Sequence, residues 1–138
     1  MTYEHFESRA DIGVRGIGET LAEAFEEAGR AMFEVMTDIK KIKPAKKIEF
    51  EAQAENETEL LINFLNQALG EADAESMFLS KFKVAISTDG TPMLVATAWG
   101  SPITPKTEVR TEVKAATLSR SNVQKKGSKF IVECIVDV

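Results

Sequence analysis

The sequence predicts an α+β fold: a single domain over residues 1–138, with mostly antiparallel β-sheet layers packed on two α-helices. Three observations lead there. Two stretches carry apolar residues at helical spacing behind capping signals. Strand-like alternation lies between and around them in runs, not in the strict helix-after-strand order of a parallel sheet. From Lys81 onward the chain is nearly all period-two alternation and turn residues, including an Asp-Gly hairpin signal at Asp89-Gly90. At 138 residues and 43% hydrophobic composition, the chain can bury one core without disulfide or metal staples.

The elements follow in order. Thr2 to Phe6 is a short strand anchored by Tyr3 and Phe6. Ile12, Val14 and Gly16 alternate with Gly13, Arg15 and Ile17, the period of a strand. Thr20 caps the first helix and Glu23 completes a capping box. Its Leu21, Ala24, Phe25, Ala28, Met32 and Val35 fall on one face, Gly29 leaves room for a close neighbour, and the helix ends near Thr37-Asp38. The connector from Ile39 to Lys47 holds Lys40, Lys41, Lys43, Lys46 and Lys47 around Pro44. Between a phosphate-binding patch and a solvated loop, the absence of interleaved aromatic residues favours the loop. Lys47 to Ala52 alternates as a strand with one wet face.

Asn56 and Glu59 mark the second helix. Leu60, Leu61, Phe64, Leu65, Ala68, Leu69 and Ala72 form its stripe, which Ile62 widens, so burial on more than one side is expected. Gly70 to Ser76 reads as a fraying end and turn, after which Met77, Phe78 and Leu79 reach back to the core. Lys81 to Ile86 and Met93 to Trp99 form a hairpin, Gly100 to Lys106 a loop, Thr107 to Leu118 a strand and Ser119 to Ser128 a turn region. Phe130 to Val138 closes the chain. Both of its faces are largely apolar, which predicts an inner strand covered on both sides.

Composition and motifs exclude several function classes. A net charge of −5 argues against a general nucleic-acid binder, though not against a protein that acts on a nucleic-acid enzyme. The single cysteine, Cys134, asks for no oxidising compartment. No apolar run resembles a signal peptide or spans a membrane, so a cytoplasmic protein without a membrane partner is expected. There is no Cys/His metal cluster, Walker-type loop or nucleophile elbow. His5, the only histidine, has no marked serine or cysteine partner, and Cys134 in an apolar strand reads as core.

Carboxylates remain. Asp11 stands at the entrance of a strand in Glu7-Ser8-Arg9-Ala10-Asp11-Ile12-Gly13, ahead of glycines that allow close backbone approach. Asp137 stands at the other end of the chain, beside Val138. Oxygen donors of this kind suit hard cations such as calcium, magnesium or manganese. The residues themselves leave two readings open for each acid. Asp11 and Asp137 can grip one ion, or Asp11 can bond local backbone while Asp137 is solvated at a terminus. Lys114 likewise reads either as part of a charge ladder with Arg110 and Glu112 or as a point charge for a phosphate.

The sequence also resembles the archease family over nearly its whole length. The resemblance is carried by Ala10-Asp11-Ile12-Gly13, Leu21-Ala22-Glu23-Ala24-Phe25, Met32-Phe33, Met36-Thr37-Asp38, Leu60-Leu61 and Leu65-Asn66. Trp99-Gly100, Thr111-Glu112-Val113-Lys114-Ala115 and Val136-Asp137-Val138 complete it, in the family's order. Two positions depart. Ser8-Arg9 stand where the family usually has a histidine before Ala-Asp, and Gln67 stands where an acid often follows Leu-Asn. The resemblance implies a non-catalytic accessory protein that activates the RtcB-type tRNA-splicing RNA ligase by promoting its guanylylation and multiple turnover. RNA and GTP would be reached only through the ligase. It further implies a divalent cation, typically calcium, held by Asp11, Asp137 and a main-chain or terminal oxygen of Val138, with Lys114 needed for activity. Two other functions stand beside it: a metal-independent chaperone or interaction module for RNA-modifying enzymes, and a small metal-dependent hydrolase.

Overall fold

The computed structural model describes residues 1–8 and 11–138, apart from the Ser8 side chain. Its elements are β1 (Thr2–Ser8), β2 (Asp11–Gly18), α1 (Leu21–Met36), β3 (Lys46–Gln53), α2 (Glu57–Ala74), β4 (Met77–Ser87), β5 (Met93–Pro102), β6 (Ala115–Lys126) and β7 (Lys129–Asp137), with a short 3-10 turn at Ile39–Lys41. The strands form two antiparallel sheets, one ordered β1-β2-β7-β6 and the other β3-β5-β4. The helices lie between them. α1 packs on β2 and on β4, and α2 packs on β6 and on β3. The fold is therefore a single-domain α+β sandwich with the helices as its filling, and one hydrophobic core runs through all three layers.

This arrangement explains the helices' sequences. Both expected caps form: Thr20 accepts from the Glu23 N–H at 3.1 Å, and Asn56 from the Glu59 N–H at 2.9 Å. α1 does not bury a single face as its stripe predicts. Ala24, Phe25, Ala28, Ala31, Met32 and Phe33 are all at most 1% exposed, because a sheet covers each side of the helix. Gly16 makes the contact with β2 close. A Cβ there would overlap the Ala24 carbonyl, so the strand runs directly against the helix backbone. Phe82 of β4 covers Gly29 from the other side. α2 is buried on more than one side, as expected, but it runs through Gly70 to Ala74 instead of fraying there. The turn comes only at Ser76, at φ 51°.

The second half of the chain departs from the expected pattern in several places. β4 begins at Met77, and β5 continues to Pro102. Residues 107–114 alternate in sequence but form no strand. Their partners lie on α1: Arg110 and Thr111 N–H donate to the carbonyls of Met36 (2.8 Å) and Val35 (3.2 Å), and the buried Thr37 hydroxyl donates to the Glu108 carbonyl (2.8 Å). These are carbonyls that a helix end leaves without an intrahelical donor. β6 starts only at Ala115 and extends through the expected turn region to Lys126, with its register broken between Thr117 and Asn122.

β7 is an inner strand, between β2 and β6, but only one of its faces lies on the helices. Val132, Cys134 and Val136 turn to the core at 0% exposure. On the opposite face Ile135 is 3% exposed, in a row with Gly13 and Phe6, whose ring occupies the space a Gly13 side chain would need. The connector's lysines face acids: Lys46 pairs with Glu75 at 2.6 Å, Lys41 with Glu108 at 3.7 Å and Lys47 with Glu49 at 3.6 Å, as on a solvated surface. No described helix is long and apolar enough to cross a membrane.

Candidate functional site

Strand register places the two acids. β2 and β7 pair antiparallel with Ile12 opposite Val136 and Val14 opposite Cys134. One step further, Asp11 and Asp137 fall at facing positions. Directly opposed residues project to the same side of a sheet. Val14 and Val136 are fully buried toward the helices, so alternation turns Asp11 and Asp137 to the outer face. Asp11 is half-buried. Asp137 is exposed, because it is the last residue of β7. The 126 residues of sequence separation between them are closed by a single strand pairing.

Lys114 joins this corner through its backbone. Its N–H donates to the Asp137 carbonyl at 2.8 Å, and the next residue, Ala115, pairs with Asp137 in the β6–β7 ladder. Lys114 is exposed, and no ion pair joins its ammonium to either carboxylate. It lines a groove of about 940 Å³ between the ends of the two helices, the start of β4 and the segment at 103–114, with Leu69, Met77, Ile103 and Val109 among its walls. It does not share a strand face with Arg110 and Glu112, since that segment is not a strand. Arg110 instead binds the Glu34 and Glu108 carboxylates.

Among the described residues, no three His, Cys, Asp or Glu side chains gather. The two carboxylates, neither of them tied to a described arginine or lysine, are oxygen-only donors, to which a main-chain oxygen of Val138 would add a third. Such a set fits a hard divalent cation that keeps open positions. Arg9 and Ala10 lie outside the described residues, as does the Ser8 side chain, and the departure at Ser8-Arg9 falls there. Gln67, the other departure, donates to Glu71 one turn further along α2 at 3.1 Å.

The remaining candidates are structural. His5 Nε2 lies 2.8 Å from the Ala31 carbonyl and edge-on to Tyr3, whose hydroxyl donates to Glu34 at 2.7 Å. Burial pushes the Cys134 thiol up to about 12, so it stays protonated and non-nucleophilic at neutral pH. Sequence reasoning missed Asn66 as a functional candidate. Its carboxamide donates to the Ala116 carbonyl at 3.0 Å and accepts from the Ala116 N–H at 2.8 Å. The signals were a polar residue beside the apolar stripe of α2 and its place in the Leu65-Asn66 pair of the family resemblance.

Fold and site together define a class: a small sheet–helix–sheet protein whose second and last strands pair up to the residues next to Asp11 and Asp137, with the Lys114 N–H bonded to the Asp137 carbonyl. The chain matches the archease protein family (MTH1598/TM1083) over residues 3–138. The protein archease of Sulfurisphaera tokodaii is 39% identical over 137 residues, covering 99% of this chain and 98% of that one. That of Pyrococcus furiosus is 35% identical over 139 residues, with 99% and 98% covered. The solution structure of Methanobacterium thermoautotrophicum protein 1598 superposes with a TM-score of 0.87 at 36% identity, over 99% of this chain and 98% of that chain. The crystal structure of an archease, possible chaperone, from Thermotoga maritima has a TM-score of 0.62 at 20% identity, over 96% and 94%, and bears on the fold alone. This chain belongs to the archease family.

Proposed function

We propose that this protein is a non-catalytic activator of an RtcB-type tRNA-splicing RNA ligase, promoting the ligase's guanylylation and its multiple turnover. The observation that carries the reading is the β2–β7 register, whose last pair is Ile12 with Val136, one residue short of Asp11 and Asp137, together with the Lys114 N–H bonded to the Asp137 carbonyl. Asp11, Asp137 and the Val138 main-chain oxygen would hold a divalent cation, calcium or else magnesium or manganese. When bound, such a cation supplies a Lewis-acidic charge for a phosphate or carboxylate of the partner. The chain's own part would be to bring the two acids together at the end of the β2–β7 pairing. Lys114 adds a compact positive charge beside them, suited to the same phosphate. RNA and GTP are engaged by the ligase, not by this acidic chain.

The test is ligation by the cognate ligase under single- and multiple-turnover conditions, with wild type, Asp11→Ala, Asp137→Ala and Lys114→Ala, each checked for native unfolding behaviour. Multiple-turnover stimulation should fall about tenfold or more in each variant. Sealing by ligase that is already guanylylated should not change. Undiminished stimulation by all three variants would remove the assignment. A second reading is a metal-independent chaperone or interaction module for RNA-modifying enzymes. It requires the two aspartate variants to behave as wild type.

A further inference from the structure

We propose that Asn66 is the positioning residue of the Asp11–Asp137–Lys114 corner, an inference that rests on the cation-binding reading above. β6 is an edge strand of its sheet. At Ala116, which faces Val136 in the ladder, the outward edge of β6 would leave the N–H and carbonyl unpaired. The Asn66 carboxamide pairs with both, at 2.8 and 3.0 Å, and so acts as one residue of a missing neighbouring strand. The grip falls at a critical place. Residues 107–114 arrive from α1 without strand partners, and the chain becomes strand at Ala115, opposite Asp137. Ala116 faces Val136, the neighbour of Asp137, and Lys114 N–H holds the Asp137 carbonyl. Clamping Ala116 therefore fixes two things at once: where Lys114 leaves the loop, and how far the end of β7 can swing from β2. Outer partners that hold a ligating segment in place commonly set cation affinity.

Asn63, three residues earlier on the same helix, offers a matched control. Its amide donates to the Gln53 carbonyl at the end of β3 at 2.9 Å, on the opposite sheet and away from the acids. The experiment is calorimetric titration with calcium alone on wild type, Asn66→Ala, Asn66→Asp and Asn63→Ala, with thermal unfolding and amide hydrogen exchange on each. Asn66→Ala should weaken calcium binding about tenfold and speed exchange of the Ala116 amide. Asn66→Asp keeps the acceptor but sets an oxygen against the Ala116 carbonyl. It should also weaken binding, although an added negative charge alone would strengthen it. Should the alanine variant fail to fold, the isosteric aspartate variant carries the test. Asn63→Ala should lose stability with calcium affinity unchanged. Wild-type affinity in the Asn66 variants, or an equal loss in Asn63→Ala, overturns the inference and leaves the cation site standing. Absence of binding by wild type to calcium, and in parallel titrations to magnesium and manganese, overturns both.

Discussion

Glu26 shows how a single carboxylate can serve the fold at a cost. It projects from α1 to accept the Val84 N–H at 2.7 Å, covering a donor on β4, the edge strand of the smaller sheet. Burial raises its pKa, and the Val84 bond and the nearby Lys83 offset this only in part. The folded state thus holds this proton more tightly than the unfolded chain does. Stability from the group is fully present below its unfolded pKa and is lost as pH rises through the raised folded value. Glu26→Gln keeps an acceptor for Val84 and removes the titration. The wild type should therefore gain stability relative to Glu26→Gln as pH falls from about 7 to about 4, measured by urea unfolding of both proteins. A gap that moves the other way would show that the Val84 bond, not desolvation, governs this carboxylate. Other residue-scale features were legible in sequence: the Thr20 and Asn56 caps, and Cys134 as core. Residue type and alternation left the exposure of Asp137 undecided, because they do not say where a ladder stops.

At the scale of elements, the segment 107–114 is the informative case. Val109, Thr111 and Val113 alternate with polar residues just as a strand does, yet period two belongs to any extended backbone. What makes a strand is a ladder partner, and here the donors of Arg110 and Thr111 go to the end of α1. Thr37 anchors the arrangement, at 1% exposure with its hydroxyl on the Glu108 carbonyl. Thr37→Val keeps the shape and removes that bond. It should cost about 1–3 kcal/mol in denaturant unfolding, with faster amide exchange at Arg110 and Thr111. Unchanged stability together with unchanged exchange would mean that the Arg110 and Thr111 bonds to α1 hold the segment without Thr37. The same logic explains α2, whose helix passes the expected stop at Gly70. One glycine costs a helix about 1 kcal/mol, less than the burial of Ala72 in the core and the continuation to Ala74 recover.

For the whole molecule, the layer order decides both stability and site. Phe64 of α2 stands where the layers meet, fully buried, with ring centroids 5.9 Å from Phe25 of α1, 6.0 Å from Phe50 of β3 and 5.8 Å from Phe82 of β4. Removing a core ring of this kind costs about 3–5 kcal/mol. Phe64→Ala should lower the urea midpoint accordingly while unfolding stays one transition by fluorescence and circular dichroism. Two separate transitions would show that the sheets hold independent cores. The sequence by itself determined the α+β class, the two capped helices and most strands, because apolar periodicity and capping chemistry are local properties. It also supplied Asp11, Asp137 and Lys114 as candidates. Only the tertiary structure decided that β2 and β7 are neighbours, that the helices are covered on both sides, and that Asn66 holds the edge of β6. Pairing between distant strands is chosen by how the whole chain can bury its apolar faces at once, and no local pattern records that choice.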